Sequence, residues 1–162
     1  MDPIRILHIA TMNRGGQETF IMNVYRNLER SKIQFDFLMY TLSDCDYDKE
    51  ILELGGKIYK IPFVNHKYLH NSRIIIKFLK AHPEYKIVHI HTDHSRSIFS
   101  ILLCKLAGIK RIIIHSHNSK ANNKILHYLF RPFLPVFATD FFACSQSAAE
   151  WLYGRRIAKS NK

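Results

Sequence analysis

Short apolar stretches rich in Ile, Val and Phe alternate along the chain with longer segments in which apolar residues recur every three or four positions. The first pattern predicts strands and the second predicts helices. The predicted strands span residues 4–10, 33–40, 57–61, 87–91, 111–115 and 140–144. The predicted helices span residues 17–28, 48–54, 71–81, 95–107, 123–137 and 145–152. This regular alternation predicts an α/β fold with a mostly parallel sheet.

Glycine and serine residues mark the borders of several of these elements. Gly55-Gly56 and Gly108 stand where helix C-caps are expected, while Ser95 and Ser145 stand at expected N-caps. Several strands are nearly continuous apolar runs, which indicates helices on both faces of the sheet. Because crossovers between parallel strands are right-handed, we expect a doubly wound, Rossmann-like sheet whose ligands lie beyond the C-terminal strand ends.

The length and the cysteine content indicate a simple soluble protein. The chain has 162 residues, which fits one domain with a substantial core. Its three cysteines are far apart and lack C-x-x-C spacing, so neither a disulfide framework nor a thiolate zinc site is indicated. The first residues have no signal-peptide pattern, and no apolar run approaches the roughly 18 residues of a membrane span. We therefore expect a cytoplasmic protein.

The chain is strongly basic, with a formal net charge of +11. Such a charge favours anionic partners: a phosphorylated substrate, nucleic acid or acidic lipid headgroups. The cations are moderately concentrated at 110–131 and again after residue 154. This distribution fits a solvated surface and a membrane-facing patch equally well.

A polar glycine turn follows the first predicted strand and opens directly into a helix. It contains Gly15 and Gly16, which allow close approach of a ligand to the backbone, and N–H groups at a helix start favour an anion by about 0.3–1 kcal/mol. The turn lacks both the G-x-G-x-x-G spacing of dinucleotide folds and the Lys-Ser/Thr ending of a P-loop. A tight connection with no ligand remains the alternative.

Two predicted strands end on paired histidines. The fourth strand ends on His89 and His91, and the fifth ends on His115 and His117, which Asn118 follows. Residues two apart share one strand face, so neighbouring strands would bring four imidazoles together. Polar contact with a ligand is the favoured interpretation. A zinc site is a second, although no Glu stands nearby as a general base. In a third interpretation, the first histidine of each pair is buried and has a structural role, while the second lies next to a loop.

Two further groups are interpreted as structural. Asp44-Cys45-Asp46 has the D-x-D spacing that some sugar transferases use for a divalent cation, but its polar surroundings favour a turn. Cys144 ends an apolar strand, where a buried cysteine is ordinary, and no adjacent base makes it a nucleophile.

Four segments together resemble one enzyme family. They are the first strand with its glycine turn, the V-H-I-H strand at 88–91, the I-H-S-H-N segment at 114–118 and the closing A-C-S-x-x-A-x-x-W-L-Y-G at 143–154. From about residue 4 to 154 the chain is similar to the N-terminal half of a family 4 glycosyltransferase. The similarity is greatest to the bacterial branch that builds capsular and extracellular polysaccharides.

The resemblance implies a GT-B architecture of two Rossmann-like domains, with the acceptor bound mainly by the first and the nucleotide sugar mainly by the second. Residues 1–154 are then the N-terminal domain, and 155–162 are a basic tail that starts the connection to a C-terminal domain. The donor-diphosphate Lys or Arg and the E-x-x-x-x-x-x-x-E stretch belong to that second domain. The 162-residue chain alone is therefore expected to be inactive.

The resemblance also implies roles for particular residues. Gly15 and Gly16 match the glycine loop near the donor phosphate and acceptor, and His117, followed by Asn118, matches the histidine that reaches the donor sugar. His91 is a further cleft-facing position. The enzyme would retain the anomeric configuration, and its histidine would orient a sugar hydroxyl and polarise the reacting centre. One such hydrogen bond contributes about 1–3 kcal/mol, or about 10- to 100-fold in rate.

The implied partners are a nucleotide-diphosphate sugar as co-substrate, a glycan or lipid-linked acceptor, and the inner membrane surface. No metal, other cofactor or nucleic acid is expected. Two alternatives remain open: a stand-alone α/β module for an anionic ligand or membrane surface, and a metal-dependent hydrolase that uses the paired histidines.

Overall fold

The computed structural model describes residues 2–62, 64, 67–120 and 124–160. The strands are β1 Ile4–Ile9, β2 Ile33–Met39, β3 Ile58–Lys60, β4 Ile87–Thr92, β5 Arg111–Ser116 and β6 Asp140–Ala143. The helices are α1 Gly16–Asn27, α2 Asp48–Glu53, α3 Tyr68–Ala81, α4 Ile98–Leu106, α5 Lys124–Phe130, α6 Leu134–Phe137, α7 Gln146–Tyr153 and α8 Arg155–Ala158. Every predicted strand is present, and its ends differ from the prediction by no more than two residues.

The sheet has the strand order β3-β2-β1-β4-β5-β6. β1 pairs in parallel with β2, β2 with β3, and β5 with β6. This is the strand order of the doubly wound dinucleotide-binding fold. The predicted α/β, Rossmann-like, mostly parallel architecture is confirmed.

The chain divides into two compact units, residues 1–88 and 89–162. In the first unit, α1 buries Ile21, Met22 and Tyr25 on one side, and these side chains pack with Phe35 and Phe37 of β2. The spacing of these helix residues places them on one face, which explains why this amphipathic segment forms a helix on the sheet. The further division at residue 154 remains a prediction.

A buried carboxylate, Asp36, is the hub of a polar network in the first unit. Its side chain is fully buried and forms a two-pronged ion pair with Arg5, with N–O distances of 2.6 and 2.5 Å. The backbone N–H of Lys57 donates to it at 2.6 Å and the Tyr85 hydroxyl at 2.7 Å. The hydrogen bonds with Asp36 raise the pKa of the Arg5 guanidinium. The carboxylate is therefore both charge-balanced and saturated with donors.

The second unit has its own core around β5, α4 and α7. α4 buries Ile98, Ile101 and Cys104. From α7, the buried Tyr153 hydroxyl donates to the carbonyl oxygens of Ile114 at 2.8 Å and Phe142 at 2.6 Å. A single side chain thereby joins α7 to the two adjacent strands β5 and β6.

The predicted glycine C-caps are confirmed. Gly55 and Gly108 each have a φ of +85°, a conformation that favours glycine. The N–H of Ile109 donates to the Cys104 carbonyl at 3.0 Å, and that of Gly108 donates to Lys105 at 3.0 Å. This pair of bonds is the Schellman arrangement, and it ends α4 where the sequence predicts.

The predicted helix at 123–137 is wrong as a single element. The chain forms α5, then a 3₁₀ turn at Arg131–Phe133, then α6, while residue 123 lies outside the described residues. Pro132 and Pro135 explain the division, because proline lacks the N–H that a continuous helix requires.

Two other predicted helix starts differ from the structure. Ser95 is not an N-cap: it begins a 3₁₀ turn, Ser95–Ser97, and its hydroxyl donates to the His127 carbonyl at 2.7 Å. α3 begins three residues before the predicted start at residue 71. Asn71 is instead inside the helix, where its side chain forms two hydrogen bonds with the backbone of Val64.

Ser145 is the N-cap of α7, as predicted, because its hydroxyl accepts a hydrogen bond from the Ala148 N–H at 3.1 Å. Replacing Ser145 with alanine is expected to lower the free energy of unfolding by about 1 kcal/mol. The measurement is a urea titration followed by circular dichroism. Ser31→Ala, at an exposed position in a turn, is the control, and an equal effect of the two changes would contradict the capping role.

Among the residues that the structure describes, no helix has the length and apolar character needed to cross a bilayer.

Candidate functional site

The glycine turn of the first unit joins β1 to α1. Gly15 is the N-cap residue of α1 and has an extended backbone with a φ of −157°. A Cβ on Gly16 would meet no other atom within 4 Å, whereas one on Gly15 would meet the Glu18 carboxylate. Packing within the protein therefore does not require glycine at position 16. The space beside the Cα of Gly16 is open.

Acidic groups of the chain itself surround this turn. Glu18 lies in the first turn of α1, and the backbone N–H of Arg14 donates to the Asp46 carboxylate at 2.8 Å. Because both carboxylates lie near N–H groups of the turn, an anionic ligand here competes with negative charge already present. The anion-binding role of the turn remains a prediction.

The D-x-D sequence has the contacts of a structural turn. Asp44 pairs with Lys60 at 3.0 Å, and Asp46 accepts the Arg14 N–H. The neighbouring Asp48 pairs with Lys60 at 2.6 Å and accepts the N–H of Cys45 at 2.9 Å. Each carboxylate thus has a partner within the chain, in agreement with the turn interpretation.

The paired histidines converge in the second unit. β4 carries His89 and His91, β5 carries His115, and His117 follows directly after β5. Nδ1 of His91 and Nε2 of His117 are 2.8 Å apart and form a hydrogen bond. The rings of His89 and His115 lie parallel at 5.4 Å, and those of His115 and His117 stack at 4.2 Å. The predicted convergence of four imidazoles is confirmed.

Burial favours the neutral form of three of these imidazoles. It lowers the pKa of His89 to about 3, with smaller contributions from the charges of His115 and His117. Burial likewise lowers the pKa values of His115 and His117 to about 4. Near pH 7 these three rings are therefore neutral and can donate and accept hydrogen bonds.

Backbone contacts hold His117 at the end of β5. Its N–H donates to the Thr92 carbonyl at 3.3 Å, and its own carbonyl accepts from the Cys144 thiol at 3.2 Å. Cys144 is exposed, so the expectation that it is buried is wrong. It follows the last residue of β6, which forms one edge of the sheet. Asn118, directly after His117, is also exposed.

The cluster contains nitrogen atoms that a metal ion could use. His91, His115 and His117 each offer one ring nitrogen, all within 4.8 Å of one another. Tetrahedral zinc with Zn–N bonds near 2.0–2.1 Å separates its ligand nitrogens by about 3.4 Å. The bonded nitrogens of His91 and His117, at 2.8 Å, are closer than that. These two nitrogens are thus placed for a hydrogen bond to each other, and both could bind one zinc ion only if they moved apart.

The closing motif at 143–154 has structural roles. Ser145 caps α7, and Leu152 is fully buried. The Trp151 ring stacks on the ring of His127 at 4.0 Å, and its N–H donates to the Asp93 carbonyl at 2.9 Å. The burial of His127 was not predicted. The only indication of it in the sequence is the position of this histidine among apolar helix residues.

The predicted site residues therefore fall into two groups. Gly15 and Gly16 belong to the first unit, while His91, His117 and Asn118 belong to the second. Within the second unit the structure brings His91 and His117 into direct contact. The roles of all five in substrate binding remain predictions.

Comparison with known proteins identifies relatives and a fold. This chain is 36% identical over 159 residues to a protein of Bacillus subtilis (strain 168) that is named as glycosyltransferase EpsF. The match covers 93% of this chain and 41% of EpsF. The crystal structure of MurG from Acinetobacter baumannii superposes with a TM-score of 0.61 at 17% identity, over 88% of this chain and 41% of MurG.

A protein from Listeria monocytogenes assigned as a UDP-N-acetylglucosamine 2-epimerase has a TM-score of 0.62 at 15% identity, over 99% of this chain and 42% of that protein. These two structures show the fold alone. The chain spans about two fifths of the length of each relative. Residues 14–161 match the family described as Glycosyltransferase Family 4. The chain belongs to glycosyltransferase family 4.

Proposed function

We propose that the chain is the N-terminal, acceptor-side domain of a retaining glycosyltransferase. The enzyme transfers a sugar from a nucleotide-diphosphate sugar to a glycan or lipid-linked acceptor in polysaccharide biosynthesis. The observation that carries the proposal is the family match over 14–161. The similarity to EpsF, named as a glycosyltransferase, supports it.

The proposal assigns donor-diphosphate binding to a further domain of the same enzyme. This chain corresponds to 41% of the length of EpsF, which leaves room for such a domain in a longer protein. Residues 155–162 begin the connection. The 162-residue chain alone then holds a nucleotide sugar weakly and does not transfer its sugar.

In this proposal His117 hydrogen-bonds a hydroxyl of the donor sugar. A neutral ring suits this role, because it orients the hydroxyl without adding a charge, and burial lowers the pKa of His117 to about 4. His91 supports the His117 ring through the 2.8 Å bond. Gly16 leaves space for a substrate to approach the backbone.

The proposed transfer requires no metal or other cofactor. In the second unit, the imidazoles contact one another, and the rings of His91 and His117 are joined by a hydrogen bond. Positioning of the two substrates and hydrogen bonding to the reacting sugar then account for the catalysis.

We propose that the enzyme works in the cytoplasm, at the inner surface of the membrane. A lipid-linked acceptor would be presented there, and the net charge of +11 favours contact with acidic headgroups. Nucleic acid is not among the proposed partners.

Replacing His117 with alanine in the full-length enzyme is expected to lower the transfer rate by more than tenfold, because one hydrogen bond to the reacting sugar is lost. The measurement is transfer from a nucleotide-diphosphate sugar to acceptor under saturating conditions. His70→Gln, at an exposed position of α3, is the control and should keep the wild-type rate. Unchanged kinetics of the His117 variant, or turnover by the 162-residue chain, would contradict the proposal.

A further inference from the structure

A cavity of about 790 Å³ lies in the first unit, beside the N-terminal ends of three strands. Its lining includes Ile4, the first residue of β1, Lys57, which directly precedes β3, and Ile87, the first residue of β4. Small-molecule sites usually have volumes of roughly 300–1,000 Å³. The cavity is therefore large enough for a small organic ligand.

This cavity is separate from the glycine turn of the same unit. β1 has six residues, and the cavity lies at its first residue while the glycine turn follows its last. At roughly 3.3 Å per residue, the strand separates the two by about 20 Å. A ligand in the cavity would therefore occupy a second site, away from the residues that are candidates for the reaction.

Arg5 provides a fixed cation in the wall of the cavity. Its Nε and Nη2 atoms donate to the buried Asp36 carboxylate at 2.6 and 2.5 Å, and 20% of its side chain is exposed. The Tyr85 hydroxyl donates to the same carboxylate at 2.7 Å. A guanidinium that is already held in place loses little conformational freedom when it binds an anion.

Lys57 and Lys86 add two exposed cations to the lining. Because Asp36 balances the charge of Arg5, the two lysines supply the positive charge that an anionic ligand can use. Neither lysine forms an ion pair within residues 2–62, 64, 67–120 and 124–160. Lysine and arginine are the side chains that bind phosphate groups most commonly, lysine as a compact charge and arginine through its paired N–H groups.

The rest of the lining combines carboxylates with apolar side chains. These residues are Asp2, Glu84, Pro3, Ile4 and Ile87. The Glu84 carboxylate is positioned by a hydrogen bond with Nδ1 of His82 at 2.9 Å. Ionised carboxylates repel a ligand that is anionic throughout, but they accept hydrogen bonds from hydroxyl groups. The apolar side chains can pack against the C–H groups of a sugar ring.

We propose that this cavity is a binding site for a sugar phosphate. The phosphate lies at Arg5, Lys57 and Lys86, and hydroxyl groups of the sugar donate to Asp2 and Glu84. Inorganic phosphate would contact the cations alone, whereas a sugar phosphate contacts the carboxylates and the apolar residues as well. The inference does not depend on the proposed function, because it rests on the lining of the cavity.

The test is calorimetric titration of the 162-residue chain with glucose 1-phosphate, inorganic phosphate and glucose. We expect glucose 1-phosphate to bind, inorganic phosphate to bind at least tenfold more weakly, and glucose to show no measurable binding. The double change Lys57→Gln and Lys86→Gln should raise the dissociation constant for glucose 1-phosphate at least tenfold. In NMR spectra, glucose 1-phosphate should shift the amide signals of Lys57 and Lys86 and leave that of Gly16 unchanged.

The matched control carries Lys77→Gln and Lys80→Gln, two exposed lysines of α3 that do not line the cavity. It loses the same charge and should bind as the wild type does. Circular dichroism verifies that both variants are folded, which is expected because all four positions are exposed. Equal weakening by the two double changes would show general charge attraction and overturn the proposal. So would absence of glucose 1-phosphate binding, equally tight binding of inorganic phosphate, or NMR shifts at Gly16 in place of those at the two lysines.

The titration involves no acceptor and no transfer of a sugar. Failure of glucose 1-phosphate to bind therefore leaves the transferase proposal intact, and failure of transfer leaves the cavity proposal intact.

Discussion

Replacing Asp36 with alanine is expected to lower the free energy of unfolding by about 3–5 kcal/mol. The substitution leaves Arg5 without its partner and also removes the acceptor for the Lys57 N–H and the Tyr85 hydroxyl. Breaking one side of a buried pair is costly because the remaining charge stays poorly solvated. The measurement is a urea titration at neutral pH, in which the midpoint should fall while the slope is maintained.

The control for this prediction is Glu50→Gln, which removes a pair of similar geometry at the surface. Glu50 contacts Arg26 at 2.5 Å, but both side chains are more than a third exposed. Such pairs contribute roughly 0–1 kcal/mol. If both substitutions lower the free energy of unfolding equally, the buried Asp36 network stabilises the first unit no more than the surface pair does.

Lowering the pH from 7 to 5 is expected to destabilise the protein steeply. His89, His115 and His117 have pKa values near 3, 4 and 4 in the folded state, because burial disfavours the charged ring. The ordinary value for an unfolded histidine is about 6.5. Below that pH the unfolded chain binds more protons than the folded chain, so stability is full above about 6.5 and falls as the pH falls.

The expected size of this effect follows from proton uptake. Each histidine that protonates only on unfolding contributes up to about 1.4 kcal/mol per pH unit, so three contribute up to about 4 kcal/mol per unit. Solvent around the half-buried His117 makes this an upper limit. The measurement is the urea midpoint at pH 7, 6 and 5, repeated at high salt to screen general repulsion among the basic residues. A midpoint that stays constant from pH 7 to 5 would exclude the prediction.

The strands could be predicted because each is visible in its own stretch of sequence, and their order because it follows a rule common to parallel sheets. Apolar runs such as 111–115 indicate buried strands, and right-handed crossovers restrict the topology. The same reasoning brought His91 and His117 together, since the C-terminal ends of parallel strands lie at one edge of a sheet. Their hydrogen bond depends on ring orientation, which no spacing in the sequence specifies.

Other features depend on contacts between distant residues. Asp36 is visible as an acid within an apolar strand, but its partner Arg5 is 31 positions away in the chain. The prediction that Ser95 caps a helix is wrong for a similar reason, because its hydroxyl donates to the carbonyl of a residue 32 positions away. The division of helix 123–137 could have been predicted, since Pro132 and Pro135 are present in the sequence.

The bond between Nδ1 of His91 and Nε2 of His117 links the tautomers of the two rings. A neutral imidazole has one N–H, so one ring donates in this bond and the other accepts. If His117 accepts through Nε2, its hydrogen is on Nδ1, and that nitrogen can act only as a donor. If His117 donates through Nε2, its Nδ1 can act only as an acceptor. The choice of tautomer at His91 would in this way set whether Nδ1 of His117 donates or accepts.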